Sequence, residues 1–127
     1  MSHRVIQGLK WAQPCARPTS IPQATARRGA KAAGLAYEKR FATALPQARH
    51  GQWFEFEDNN GLGYCCPDFL LKHSDAIFVL ETKLTDCAAG QTQLTQLYLP
   101  VVRACSSKQI VGVEVVKNLR RDSQVWR

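Results

Sequence analysis

The sequence lacks an uninterrupted apolar run of about 18 residues, the length that a membrane-spanning helix requires. Its beginning, MSHRVIQGLKWAQPCARP, also lacks the apolar centre of a signal peptide. Both absences predict an intracellular, cytoplasmic protein that has no membrane partner.

Paired metal-ligating cysteines are absent as well. The sequence has five cysteines: Cys15, Cys65, Cys66, Cys87 and Cys105. None of them forms a C-x-x-C pair, and none of the three histidines is paired with them, so a structural zinc site is not expected. An odd number of cysteines without a secretion signal predicts free, mostly buried thiols.

Acidic residues are scarce outside the middle of the chain. Residues 1–50 contain nine basic residues and one acid, Glu38, and therefore carry a charge of +8. Residues 51–86 carry −5 and residues 87–127 carry +4, which gives the net charge of +7. Basic arms of this kind attract polyanions such as nucleic acids, although they can also serve solubility alone. The acidic centre of a basic chain is the feature that needs an explanation.

Two helices and an N-terminal arm are predicted. Residues 1–22 contain three prolines and are expected to form an extended basic arm with one short strand, followed by a folded domain over 23–127. An Ala-rich helix should run from about Gln23 to Leu45 and end before Pro46. A second helix should cover about 86–105, and Pro100 should kink or split it.

Strand patterns lie between and after these helices. They are GQWFEFED, the two apolar runs of CCPDFLLKHSDAIFVLETKL, and KQIVGVEVV, with a turn at DNNGLG. The order helix, three strands, helix, strand predicts a single α/β domain with a central mixed β-sheet flanked by helices. The step from the strand of Glu81 through the second helix to Val113 favours a parallel crossover.

The segment from 65 to 84 predicts a hairpin with a turn at Ser74-Asp75. In the register that this turn sets, Asp68 faces Glu81, and Lys83 lies on the same face. Opposed carboxylates destabilise a strand pair, more so when they are buried. An ion pair with Lys83 would offset this, and so would a bound divalent cation. A slip of one residue would place the two acids on opposite faces.

A third acid lies on the predicted first helix. Glu38 shares its helix face with four apolar residues: Leu35, Phe41, Ala42 and Leu45. Glutamate is rarely buried unless it is paired, so this position predicts a partner for its carboxylate. The alternative is a rotated helix that leaves Glu38 exposed beside Lys39 or Arg40.

The motif Pro67-Asp68, twelve further residues and then Glu81-Thr82-Lys83 resembles the PD-(D/E)XK nuclease superfamily. That superfamily also has a glutamate on the preceding helix, which Glu38 in GLAYEKRF matches. Over about residues 24 to 116 the chain is similar to compact members such as Holliday junction resolvases and small phage-encoded endonucleases.

Some members add a Gln-x-x-x-Tyr motif on the next helix. Here Gln93 precedes Tyr98 by five residues, so this spacing is not met. We expect Gln93 and Tyr98 to be ordinary surface or packing residues of the helix.

The resemblance implies a restriction-endonuclease-like core and a metal-dependent DNA endonuclease. Asp68 and Glu81 would hold Mg²⁺ or Mn²⁺, helped by the backbone carbonyl of Thr82. Glu38 would bind the metal directly or through water, and Lys83 would orient or activate the attacking water. Glu38, Asp68, Glu81 and Lys83 are therefore the expected catalytic residues.

DNA is the expected partner. Four basic residues of the N-terminal third are expected to contact phosphates: Arg27, Arg28, Lys31 and Arg40. A solvated helix face is the alternative for Arg27 and Arg28. So short a chain favours binding by charge and shape, as a monomer or a homodimer, on branched recombination, repair or replication intermediates. An exonuclease, a nonspecific nicking enzyme and a non-catalytic nucleic-acid-binding module remain alternatives.

Overall fold

Two β-sheets organise the part of the chain that the computed structural model describes, residues 4–20, 30–85 and 88–118. The first sheet has the order β1 (Trp11–Cys15), β3 (Trp53–Asp58), β4 (Gly61–Cys65). The second has the order β2 (Arg49–His50), β5 (Phe69–His73), β6 (Ala76–Thr85), β7 (Gln109–Asn118). The predicted single α/β domain is confirmed, but its described strands divide into two sheets where the sequence predicts one.

The helical elements are α1 (Ala30–Ala44), α2 (Ala88–Gln93), a π-helical segment (Leu94–Tyr98) and α3 (Leu99–Ala104). Helix α1 ends two residues before Pro46, as predicted, while its predicted beginning near Gln23 lies outside the described residues. Within the described ranges, no helix is both long and apolar enough to cross a membrane.

The first sheet is antiparallel and includes part of the expected N-terminal arm. Strand β1 pairs with β3 from Trp11 opposite Glu57 to Cys15 opposite Trp53. Before this strand, Arg4 forms an ion pair with the buried Asp58, with 2.5 Å between Nη2 and Oδ1. These contacts attach residues 4–15 to the folded domain.

Strand β4 is not predicted by the sequence, because glycine normally weakens a strand. Gly61 has φ +100° and begins the strand directly after the turn. A Cβ added at Gly63 would lie 2.5 Å from Nη1 of Arg4 and 2.6 Å from Cζ of Phe56. Glycine at 63 is therefore required by close packing, which sequence patterns do not reveal.

The second sheet contains the hairpin in its predicted register. Phe69 pairs with Leu80 and His73 with Ala76 around the Ser74-Asp75 turn. Strand β7 runs parallel to β6, as the crossover predicts. Opposite faces of the hairpin belong to separate core clusters, one of which includes Phe41 and Ala42 of α1, so both faces are covered.

Pro100 interrupts the second helical region, as predicted, through a π-helical segment. Proline has no N–H for the carbonyl four residues earlier, and the Gln96 carbonyl instead accepts a hydrogen bond of 3.0 Å from the N–H of Ile6. The N–H of Leu99 bonds to the carbonyl of Leu94, five residues back. The helix is thus wider just before the proline.

Candidate active site

Asp68 lies where the chain enters β5. Its Oδ2 accepts hydrogen bonds from the backbone N–H and the hydroxyl of Thr82, each 2.8 Å long. Its carbonyl accepts a hydrogen bond of 3.3 Å from the N–H of Gly51. Thr82, which the sequence suggests as a metal ligand through its carbonyl, therefore orients the Asp68 carboxylate with its own N–H and hydroxyl.

Glu81 follows Leu80, the partner of Phe69, so continuing this register by one residue sets it against Asp68; it is 3% exposed. Burial, followed by a hydrogen bond to Asp68 and the Asp68 charge, raises the pKa of Glu81 to about 10, although the Lys83 charge lowers it. Within the described structure, Glu81 Oε2 has no hydrogen-bond partner. A buried carboxyl group with an open oxygen favours a proton or a cation.

Glu38 reaches the same region from α1. Its Oε2 lies 2.5 Å from Nε2 of His50, so its partner is this histidine of β2 and neither Lys39 nor Arg40. Burial, followed by the charge of Asp68, raises the pKa of Glu38, against the lowering effects of His50 and Lys83. The Glu38 carboxylate is therefore close enough to Asp68 for the two charges to interact.

A cavity of about 360 Å³ brings Glu38 and Asp68 together. Cys66 also lines it, and burial, followed by the charges of Asp68, Glu38 and Glu81, raises the pKa of Cys66 to about 12. A thiol with so high a pKa stays protonated near neutral pH and is a poor nucleophile. Cys66 is therefore not a candidate nucleophile.

Comparisons of the chain with protein-family models, curated proteins and solved structures find no match. Functional inference therefore depends on the residues themselves and on their geometry.

Lys83 follows Glu81 by two residues in β6, so both side chains lie on one face of the strand. A Cβ built at Gly90 of α2 would lie 3.0 Å from Cε of Lys83 and 2.9 Å from Oε2 of Glu114. Glu114 is 3% exposed and pairs with Glu81 across the parallel strands. Sequence reasoning missed Glu114, although it is the single acid in the apolar strand KQIVGVEVV.

Gln93 and Tyr98 have more than the surface or packing roles that the sequence predicts. Tyr98 is buried, and its hydroxyl accepts a hydrogen bond of 2.7 Å from Nε2 of Gln93. Burial, followed by the charges of Glu81 and Asp68, raises the pKa of Tyr98. The π-helical segment allows residues five apart to meet, a spacing that an α-helix would not align.

The basic residues that the sequence predicts to contact DNA are only partly described. Arg40 is exposed on α1 and Lys31 lies in the same helix, whereas Arg27 and Arg28 lie outside the described residues. The sequence did not single out Arg17. Its guanidinium lies 5.7 Å from the centroid of the Trp53 ring, and Trp53 lines the cavity of Asp68.

The oxygen donors of this site are the carboxylates of Asp68 and Glu81. Within residues 4–20, 30–85 and 88–118, no three His, Cys, Asp or Glu side chains converge on a common position that could hold a metal ion. Mg²⁺ commonly uses one or two carboxylates and completes its coordination with water and substrate phosphate. Asp68 and Glu81, with the open Oε2 of the latter, supply this smaller set.

Proposed function

We propose that this chain is a metal-dependent DNA endonuclease with a restriction-endonuclease-like core of the PD-(D/E)XK type. The observation that carries the proposal is the half-buried Asp68 next to the buried Glu81, with Lys83 two residues further along the same strand face. The electrostatic coupling of Glu38 to Asp68 adds the fourth residue of the expected set.

The order of the elements supports the same proposal. Helix α1 precedes β3. Strands β4 and β5 follow β3 and are separated from each other by a break at residues 66–68. Strand β6, the second helical region and the parallel strand β7 complete the order. The resemblance implies the order helix, three strands, helix, strand, and the described elements follow this order with two additional strands, β2 and β4.

Asp68 and Glu81 would hold Mg²⁺ or Mn²⁺. When bound, such an ion polarises a phosphoryl oxygen and lowers the pKa of a coordinated water molecule. Thr82 keeps the Asp68 carboxylate in a fixed orientation through its N–H and hydroxyl. Burial of Glu81 would strengthen its interaction with a cation at this position.

The remaining residues would act on the water molecule and on the developing negative charge. Lys83 places an ammonium group close enough to lower the pKa of both Glu81 and Glu38, and can stabilise charge on the phosphate or orient the water. Glu38, with a raised pKa, accepts a proton from water more readily than an ordinary glutamate would. His50 fixes its Oε2.

DNA is the substrate that the charge distribution favours. The net charge is +7, and the exposed Arg40 lies two residues after Glu38 on α1. Phosphate contacts of this kind position a duplex or a branched structure without reading its sequence. Branched recombination, repair or replication intermediates are the proposed substrates, bound by a monomer or a homodimer.

The test is cleavage of supercoiled circular DNA, linear duplex, single strands and a four-way junction, with Mg²⁺, Mn²⁺ or a chelator. An endonuclease cuts the closed circle, whereas an exonuclease does not. We expect metal-dependent cutting of the circle and the fastest cutting on the junction. Asp75→Asn, which changes an exposed turn acid, is the matched control for Asp68→Asn, which should abolish cutting. A folded protein that cuts none of these substrates with either metal would contradict the proposal.

A further inference from the structure

A second cavity, of about 450 Å³, lies on the other side of β2 from Glu38. The two residues of β2 contribute to different sites: His50 contacts Glu38, whereas Arg49 lines this second cavity. The cavity lies where the two sheets and α3 meet, and its size is within the range of small-molecule sites.

The floor of this cavity is apolar. Phe54, Ile77 and Val102 line it, and each of them is at least 90% buried. They come from β3, β6 and α3, so the floor is built by three separate elements of the core. Such a surface favours a flat apolar group, and an aromatic ring at the floor suits a nucleobase.

The mouth of the cavity is cationic. Arg49 and Lys72 are exposed and line it, and the lining residues among those described include no Asp or Glu. Within the described structure, neither cation forms a salt bridge. Gln52 is also part of the wall, and its Nε2 donates to the carbonyls of Cys15 at 3.2 Å and Trp53 at 2.8 Å, which fixes the amide in place. An apolar floor with a cationic mouth matches an anion that carries an apolar ring.

The two cavities are neighbours. Gly51 lines the cavity of Asp68, and the next residue, Gln52, lines the second cavity. Leu70 of the second cavity follows Asp68 by two residues. The walls of the two cavities are therefore continuous along residues 51–52.

We propose that the second cavity binds one unpaired nucleotide of the DNA strand that lies at Asp68. The base packs against Phe54, Ile77 and Val102, and the phosphate meets Arg49 and Lys72. This assignment rests on the proposed function for the identity of the strand. The same chemistry is present in a free mononucleotide, and the experiment distinguishes the two sources.

The experiment measures binding by calorimetry in the presence of a chelator, so that no DNA is cut. The probes are a five-nucleotide oligothymidylate, the same oligonucleotide with abasic residues, and thymidine monophosphate. We expect the abasic probe and the mononucleotide each to bind at least about tenfold more weakly than the oligothymidylate. Equal affinity for the abasic probe would overturn the base pocket, and equal affinity for the mononucleotide would overturn the strand as its source.

Variants locate the binding to this cavity. Arg49→Ala should weaken binding of the oligothymidylate about tenfold, whereas Arg103→Ala, an exposed arginine of α3 outside the lining, should leave it unchanged. Gln47→Glu adds an acid at the mouth and should weaken binding, and Gln96→Glu is its exposed control. Equal effects of each variant and its control would overturn the assignment.

Failure of this inference and failure of the proposed nuclease are distinguishable. Binding without a metal requires no functional Asp68, so Asp68→Asn should keep the preference for the oligothymidylate over the abasic probe. If the chain cleaves DNA but does not distinguish these probes, the nuclease proposal is supported and the base pocket is overturned. If the chain distinguishes the probes but never cleaves DNA, the base pocket is supported and the nuclease proposal is overturned.

Discussion

Glu81 combines burial with an opposed carboxylate, an arrangement that a proton or a cation must balance. Its pKa in the folded chain is raised from 4.5 to about 10, mainly by burial and secondly by Asp68. A raised carboxyl pKa gives its full stability contribution below the ordinary value of 4.5, and that contribution is lost as the pH rises toward about 10.

The first prediction is that Glu81→Gln stabilises the metal-free protein increasingly as the pH rises. At about pH 9 the variant should exceed the wild type by about 1–3 kcal/mol in free energy of unfolding, and the difference should shrink at about pH 5. Urea unfolding with a chelator measures it. Glu57→Gln, a half-buried acid of the first sheet, is the control. A difference that does not change with pH would contradict the burial of an ionisable Glu81.

The second prediction concerns Gly90, which leaves room for Lys83 and Glu114. In Gly90→Ala the new Cβ would lie 3.0 Å from Lys83 Cε and 2.9 Å from Glu114 Oε2, so one of these side chains must move. We expect DNA cleavage to fall about tenfold or more, because small displacements of catalytic groups are costly. Circular dichroism should show that the variant remains folded.

Gly34→Ala is the matched control in α1. Nothing lies within 4 Å of a Cβ at Gly34, so this change should raise the free energy of unfolding by up to about 1 kcal/mol and leave cleavage unchanged. Equal cleavage by the two variants would show that Lys83 is not constrained at Gly90.

At the scale of the element, the π-helical segment between α2 and α3 determines which side chains of this region meet. It brings Gln93 and Tyr98 into a hydrogen bond of 2.7 Å despite their five-residue separation. The third prediction is that Gln93→Ala and Tyr98→Phe each lower the free energy of unfolding by about 0.5–1.5 kcal/mol. The double variant should lose less than the sum, because both changes remove the same bond. Additive losses in urea unfolding would contradict this contact.

Local patterns predicted the hairpin well. Its turn residues and alternating apolar side chains define the register, so the opposition of Asp68 and Glu81 could be predicted from sequence. The π-helical segment could not be predicted from sequence. Pro100 leaves the carbonyl of Gln96 without its usual helical N–H, and this carbonyl instead accepts a hydrogen bond from Ile6, which is remote in the chain. Strand β4 was missed because Gly63 is required by its close tertiary contact with Phe56, which local sequence patterns do not show.

At the scale of the whole molecule, the break at residues 66–68 separates the described strands into two sheets and places Asp68 at the junction. Sequence periodicity locates strands but does not show which of them pair across such a break. For the same reason it did not reveal that Glu114 pairs with Glu81, or that Arg17 lies near the cavity. The closeness of Asp68 to Glu81 could be predicted from the hairpin register, whereas the positions of Glu114 and Arg17 depend on tertiary packing.

The fourth prediction follows from the net charge of +7. Affinity for duplex DNA without a metal should fall steeply between low and moderate salt, because binding releases counterions from the phosphates. Arg40→Ala should weaken binding and reduce the slope of log affinity against log salt by about 1, whereas Arg103→Ala should not. Fluorescence anisotropy over a salt series measures both slopes. Identical slopes for the two variants would exclude Arg40 from the DNA interface.

The most direct test of the proposed site is the rate at which closed circular DNA is nicked with Mg²⁺ by the wild type, Glu81→Gln, Lys83→Ala and the double variant. If the two residues serve one reaction, each single change should slow nicking at least about 100-fold. The double change should add little to that loss, because residues that act as a unit have non-additive effects. Metal-dependent nicking that survives in both folded single variants would contradict the assignment of this site.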